Sequence, residues 1–456
     1  MQISPHIFRE FSIRGVAEQD LTNEAVVLIG RAIGTYFRQH AEQTLVVGRD
    51  VRNSSARISQ ALIAGLAQTG VKVIDVGLVP TPVHNFATDF FAADGGVMVT
   101  ASHNPPEDNG LKIRGHQTLT GEEIQQIFQL AVGDDFASGL GAVLEQDALT
   151  PYLTALRGYV RPGRPLSVVV DGGNGTNGPV VVELLRQLGH TVFELFVEPD
   201  GSFPNRSPDP TKSGATDALS ALVRAKKAHL GLAYDGDGDR LVVVDETGNR
   251  LLGDQIMMIL ARDILRGGPA KIVYEILCTQ ALADDVRAHG GEPVMTPSGY
   301  AFVHQAMQEM GAALGGELSG HLFLNEPEFR FDDAILGTVK LLNILVQSSR
   351  PLSTLVADLP TYHSSPELRV KCPDKAKARV VERIKAQFAN DYHVDTLDGA
   401  RIHFDEGWAL VRQSNTQPVL SMRFEARSRE ALTIIQDRVQ ALVEAELNRL
   451  EGESRQ

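Results

Sequence analysis

Three aspartates, Asp235, Asp237 and Asp239, fall within five residues in the stretch LGLAYDGDGDRLVVVDETG, spaced by Gly236 and Gly238 and held between two apolar runs. Carboxylates at alternate positions offer hard oxygen ligands, and the intervening glycines let the backbone turn tightly enough for all three to converge on one cation. A calcium EF-hand competes for the assignment, since Glu246 falls at its twelfth position. That loop needs glycine at the sixth, where Arg240 stands. An acidic turn without a metal is the plainer alternative. The next residues, LVVVD, read as a strand and not as a loop curling round an ion, which favours a compact Mg²⁺ site. Mg²⁺ keeps positions for phosphate oxygens, so a phosphate is expected nearby.

Three further loops carry reactive side chains. In GGVMVTASHNPPEDNGLKI a strand delivers Ser102 onto a turn enforced by Pro105 and Pro106. The turn is expected to expose the hydroxyl as a nucleophile or phosphate carrier, with a serine in an ordinary turn as the bland alternative. His103 is adjacent in sequence and is not expected to act as a hydrolase-type base; there is no G-x-S-x-G. In GGELSGHLFLNE, Glu317, Ser319 and His321 lie at i, i+2 and i+4 beside glycines, a cluster suited to vicinal hydroxyls or else a capped turn. GWALVRQSNTQPVLSMRFEAR reads as a hairpin whose loop carries Arg412, Ser414, Asn415 and Thr416, with Arg423 on the polar face of the return strand. Hydroxyls, an amide, loop N–H groups and guanidinium together make a phosphate cradle, against the alternative of a solvated turn.

These loops need rigid elements behind them. The run TLVVGRD precedes a helical pattern in which Ile58, Ala61, Leu62, Gly65 and Leu66 share a face and Gly70 ends the helix. LSVVVDGG precedes another, with Val181, Leu184, Leu185 and Leu188 on one face, stopped by Gly189. This strand–loop–helix rhythm predicts an α/β fold with buried strands, whose ligands gather at the strands' carboxyl ends. From about residue 365 the segments shorten. VLSMRFEAR alternates strictly, so a half-exposed antiparallel strand is expected, followed by a helix carrying Leu432, Ile435, Val439 and Leu442. The last ninety or so residues thus read as a separate α+β domain. The loop EPDGSFPNRSPDPTKSG is expected to pack over a site. The letters show no convincing repeat; only the rhythm recurs.

A chain of 456 residues is too long for one core, and two to four domains are expected. Its formal net charge of −14 argues against nucleic acid or an anionic membrane surface as partner. An anionic ligand must therefore be held by a local basic cluster. Cys278 and Cys372 offer neither a disulfide framework nor metal-ligand spacing, so a reducing compartment fits. The start, MQISPHIFREFSIRG, has no apolar signal core, and no long apolar run follows; a cytoplasmic protein is the expectation.

Taken together the four loops resemble the α-D-phosphohexomutase superfamily, in particular its bacterial phosphomannomutase/phosphoglucomutase group. The resemblance covers the whole chain through IRG, TASHNP, NGLK, DGDGDR, GELSGH and RQSNTQP in that order. It implies three consecutive α/β domains with mixed sheets and a smaller, mobile C-terminal α+β domain around a central cleft. Boundaries are expected at 1–150, 151–252, 253–364 and 365–456. It further implies a phosphoserine at Ser102, and Mg²⁺ on Asp235, Asp237, Asp239 and the Ser102 phosphoryl. Arg14 and Arg240 would stand beside the transferring group, with Lys112 and His321 as candidates for proton transfer. His103, Tyr300, Glu317 and Ser319 would contact the sugar, and Arg412, Ser414, Asn415, Thr416 and Arg423 the phosphate that is not reacting. The implied reaction interconverts hexose 1-phosphate and hexose 6-phosphate through glucose 1,6-bisphosphate or mannose 1,6-bisphosphate, in a monomer or homodimer.

The chain also departs from that pattern. Phe11 and Ser12 stand where Tyr and Asp are usual, Leu277 where a basic residue is common, and Tyr300 where His is frequent. The first pair lacks a hydroxyl and a carboxylate, and in the family the positions of Leu277 and Tyr300 usually help hold the substrate, so the reaction is better specified than the sugar. A phosphoglucosamine or other sugar-phosphate mutase is the alternative enzyme, and a non-catalytic sugar-phosphate-binding protein of the same fold is the alternative class.

Overall fold

The computed structural model describes residues 3–115, 117–414 and 418–454. Four sheets follow one another along the chain. The first places strands Ile13–Val16, Asp108–Arg114, Gly95–Val99, Thr44–Arg49, Lys72–Leu78 and Val143–Glu145 side by side. The second orders Arg250–Leu251, Leu241–Asp245, Leu230–Tyr234, Ser167–Asp171 and Thr191–Leu195, and the third Glu292–Thr296, Lys271–Glu275, Leu314–Gly316 and Leu322–Leu324. All three are mixed, parallel at the centre and closed by an antiparallel pair. The fourth, in the smaller C-terminal α+β domain, is built from antiparallel pairs running from His363–Ser364 to Val419–Ala426.

The helices form where the apolar spacing demands. Ser55–Ala67 buries Ile58, Ala61, Leu62, Gly65 and Leu66, and Asn177–Gln187 buries Val181, Leu184 and Leu185. Gly70 and Gly189, just past their ends, take left-handed φ values of +85° and +82°, which glycine adopts without strain. Burial is unevenly shared. One continuous core runs from the first unit (Val46, Phe86) through the second (Val168, Leu232) into the third (Ile272, Leu314). The C-terminal domain keeps its own core, and among the described residues a small apolar cluster of Ile276, Leu277, Trp408 and Leu410 joins it to the third unit.

One expectation is overturned here. The strand Val419–Ala426 is not half-exposed: Ser421, Arg423 and Glu425 are buried as fully as Leu420, Met422 and Phe424. Its polar face is covered by the third unit, so the alternation records charged groups at a domain interface rather than groups in water. Among the described residues no helix is long and apolar enough to cross a membrane.

Candidate active site

Each singled-out loop is the connection of an antiparallel strand pair. Residues 100–107 join Gly95–Val99 to Asp108–Arg114, residues 235–240 join Leu230–Tyr234 to Leu241–Asp245, and residues 317–321 join Leu314–Gly316 to Leu322–Leu324. The first two meet at Ser102, whose hydroxyl donates to Asp235 Oδ2 at 2.7 Å. The expectation of an exposed hydroxyl is corrected: Ser102 is 1% exposed, because the aspartate loop closes over it. His103 Nδ1 lies 3.2 Å from the Ser102 Oγ. Burial, reinforced by Arg240, Arg14 and Lys112, pushes the His103 pKa well down and keeps the ring neutral. Ser102 sits at φ +50°, a left-handed conformation that costs a non-glycine residue about 1–3 kcal/mol. The Thr100 hydroxyl, which accepts its N–H at 2.8 Å, and Arg52, which donates to its carbonyl at 2.9 Å, hold it there.

The aspartate loop depends on its glycines. A Cβ at Gly236 would come within 2.5 Å of the Ser102 carbonyl, and Gly238 turns at φ +81°. Asp235 Oδ1 accepts the N–H groups of Gly238 and Arg240, fixing the turn. The strand Leu241–Asp245 follows at once, leaving no EF-hand loop. Ligand atoms of Asp235, Asp237 and Asp239 lie within 4.8 Å of one another, and all three residues are buried. Lys112 bridges two of them, at 2.7 Å from Asp237 Oδ2 and against Asp239 Oδ2. Burial and the charges of Asp239 and Asp237 drive the Asp235 pKa well up. For Asp237 burial is outweighed by Lys112, and its pKa falls. Lys112 is likewise held as an ammonium against its desolvation by Asp237 and Asp239. Asp237 Oδ1 and Asp239 Oδ1 remain buried without a partner. Orphaned, hard, negatively charged oxygens beside a repelled third carboxylate fit a divalent cation.

The third loop closes on the second. Arg240 Nε donates to His321 Nε2 at 3.0 Å, while His321 Nδ1 lies 2.7 Å from Asp332 Oδ2. Burial disfavours the imidazolium, but Asp239 and the Asp332 hydrogen bond prevail and the His321 pKa is raised. Glu317 accepts from the Gly299 N–H and the Ser319 hydroxyl, both at 2.9 Å, so two groups expected to read sugar hydroxyls hold each other. Arg14 lies beside the serine loop, donating to the Ala101 carbonyl and the Asn104 side chain. Tyr300 stacks on His321 with ring centroids 5.6 Å apart, and its hydroxyl donates to the Phe11 carbonyl across the first and third units.

Residues 5–137, 150–248 and 252–362 match alpha/beta/alpha domains I, II and III of phosphoglucomutase/phosphomannomutase, and residues 367–442 match its C-terminal domain. The chain belongs to the phosphoglucomutase/phosphomannomutase family. A Pseudomonas aeruginosa phosphomannomutase/phosphoglucomutase is 41% identical over 430 residues, 93% of either chain. A Neisseria gonorrhoeae phosphoglucomutase is 39% identical over 97% of this chain and 98% of its own. A crystal structure of a phosphoglucomutase/phosphomannomutase family protein from Burkholderia thailandensis superposes with a TM-score of 0.91 at 38% identity, covering 98% of both chains.

In this family member the fourth loop contributes less visibly. Arg412 donates through Nε to Asp398 Oδ2 at 2.8 Å, and the Ser414 carbonyl accepts from Lys377 Nζ at 2.8 Å. Asn415 and Thr416 lie outside the described residues. Arg423 is displaced from the expected cradle: its Nη1 donates to the Leu277 carbonyl, and Nη2 lies 3.8 Å from Asp254. The strand's polar face is covered by the third unit, so this guanidinium docks a domain. Leu277 is buried in the same interface.

Several residues at the site carry no motif. Thr81, at the start of helix Thr81–Phe90, donates its hydroxyl to Asp237 Oδ2 at 2.7 Å and its N–H to the Asp237 carbonyl at 2.8 Å. Arg52 pins the serine loop through the carbonyls of Ser102, Asn104 and Asp108. Asp332 orients His321. Inspection of every strand's carboxyl end would have flagged Thr81 and Arg52; Asp332 gave no signal, although a local turn, with bridges between Glu326 and Phe329 and between Phe323 and Asp332, returns it to the strand Leu322–Leu324.

Proposed function

We propose that the chain is a phosphohexomutase interconverting the 1- and 6-phosphates of glucose and mannose, through a phosphoserine at Ser102 and a hexose 1,6-bisphosphate. The observation that carries this reading is the 2.7 Å contact between the Ser102 hydroxyl and Asp235, made by loops from two units and overlooked by a basic cluster. A Mg²⁺ ion held by Asp235, Asp237, Asp239 and the Ser102 oxygen would neutralise charge on the transferring group. Arg14, Lys112 and Arg240 supply fixed cations around the same point, which is what phosphoryl transfer chiefly needs. A sugar hydroxyl oxygen attacks phosphorus and gives up its proton, the bond to Ser102 Oγ breaks, and the serine oxygen takes up a proton. His321, oriented by Asp332, is the group placed to exchange that proton, while Lys112 acts as a cation toward the phosphoryl oxygens. Turning the bisphosphate end for end returns the other phosphate to Ser102.

Glu317 and Ser319 face the sugar in this scheme, and Arg412 with Ser414 holds the distal phosphate. Intact-mass measurement is expected to find one phosphate that disappears in Ser102→Ala. Asp237→Asn is expected to cut turnover by at least ~100-fold while glucose 1-phosphate binding stays measurable; full activity in that variant would dismiss the aspartate loop. Assays with glucose, mannose and glucosamine 1-phosphates side by side identify the sugar.

A further inference from the structure

The strand Lys271–Glu275 is flanked on both sides, by Glu292–Thr296 and Leu314–Gly316, so the side chain at its end is rigidly placed. That side chain is Glu275, 2% exposed, whose Oε1 accepts the Leu318 N–H at 3.1 Å. Leu318 lies between Glu317 and Ser319, and its carbonyl is held by the Gly253 N–H at 3.2 Å. The residue at the centre of the sugar-facing loop is therefore held through both its N–H and its carbonyl, with Glu275 supplying the side-chain contact.

The residues immediately after Glu275 receive the C-terminal domain. The Ile276 carbonyl accepts from Arg401 at 3.2 Å, the Leu277 carbonyl accepts from Arg423, and the Gln280 N–H donates to Glu425 Oε1 at 2.8 Å. One short segment thus touches the domain bearing the distal phosphate loop at one end and the sugar-facing loop at the other. Burial and then the charge of Glu317 push the Glu275 pKa up to about 8. Against this, the Ser298 side chain and the charge of Arg412 favour the charged form of this acid. A neutral acid here still accepts from Leu318.

We propose that Glu275 is a positioning residue for the sugar-facing loop, holding Leu318 so that Glu317 and Ser319 keep their geometry when the C-terminal domain docks on residues 276–280. Glu275 touches neither the transferring phosphoryl group nor the metal cluster. This deepens the mutase reading and rests on it.

The test is steady-state kinetics with glucose 1-phosphate for wild type, Glu275→Ala and Glu275→Gln, with phosphate on Ser102 followed by intact mass. Glu275→Ala is expected to lower kcat/KM about tenfold, mainly through KM, the scale of one lost hydrogen bond. Glu275→Gln keeps the acceptor and the neutral charge and is expected to stay within about twofold of wild type. Phosphate on Ser102 is expected to be unchanged in both. If Glu275→Ala does not fold, Glu275→Asp, one methylene short, takes its place. An alanine variant as effective as wild type, or a glutamine variant as poor as alanine, overturns the role of Glu275 while the mutase reading stands. A wild type inert toward both glucose 1-phosphate and mannose 1-phosphate overturns the mutase reading, and this proposal with it.

Discussion

At the scale of single residues, Ser102 carries two demands that pull apart. Its hydroxyl must face Asp235, and the backbone that aims it is left-handed at φ +50°. Relief of that strain is worth about 1–3 kcal/mol, and glycine's extra freedom in the unfolded chain takes back about 0.5–1. Ser102→Gly is therefore expected to be about 1 kcal/mol more stable than Ser102→Ala in urea denaturation, with both devoid of turnover. Equal stabilities would mean that the loop relaxes when the hydroxyl is gone. Strain retained where chemistry is done, at a residue that glycine would suit better, separates a functional serine from a turn serine. Thr100 lies within TASHNP itself, but Arg52 reaches the Ser102 carbonyl from a distant part of the chain, so those letters alone leave φ open.

At the scale of elements, hairpin loops hold most of the candidate site, and the grouping within each loop was legible. The trio Asp235, Asp237 and Asp239, the serine, and the Glu317–Ser319–His321 cluster sit in runs of few residues, so spacing alone brings each group together. Illegible were the groups that complete the site from a distance: Thr81 from a helix start, Asp332 from a turn, and Glu275 from a strand end beside the noticed Leu277. The same reason explains the misread strand Val419–Ala426, whose alternation was real but whose polar face met protein instead of water. Arg52 shows how much rests on such distant support. It pairs with Asp50, Nε to Oδ2 at 3.2 Å with both side chains fully buried, while gripping four carbonyls, those of Ser102, Asn104 and Pro105 in the serine loop and of Asp108 in its following strand. Arg52→Ala leaves a buried carboxylate alone, a change that costs about 3–5 kcal/mol. Denaturation is expected to show a loss near that range, with part recovered by adding Asp50→Asn. A loss below ~1 kcal/mol would mark the pair as dispensable.

At the scale of the whole molecule, the rhythm without matching letters becomes a repeated topology. In each of the first three units four strands stand in the same order, the second of a parallel pair, the first, then the third and its antiparallel fourth: Lys72–Leu78, Thr44–Arg49, Gly95–Val99, Asp108–Arg114 in the first, where Val143–Glu145 adds an outer strand, and likewise in the others. The repeat puts each reactive hairpin at the same corner, and a shared core locks the three corners together. The C-terminal domain stands apart, joined by the cluster of Ile276, Leu277, Trp408 and Leu410 and by charged side chains. That interface is imperfect: Arg401 Nε and Nη2 and Arg423 Nε are buried without partners, each a burden of about 1–3 kcal/mol that undocking removes. Trp408, the single tryptophan of the chain, reports on it, with its Nε1 donating to Glu425 Oε1 at 2.9 Å and Arg401 4.0 Å above its ring. In a urea titration the Trp408 emission is expected to shift to the red while most far-UV ellipticity remains. Glu425→Gln, which weakens the charged acceptor shared by Trp408, Gln280 and Ser364, is expected to move the fluorescence transition by about 2 kcal/mol and to leave the later ellipticity loss in place. Superimposable fluorescence and ellipticity curves in the wild type would show instead that all four units unfold as one, and that the sparse contact at Trp408 is as strong as the core it adjoins.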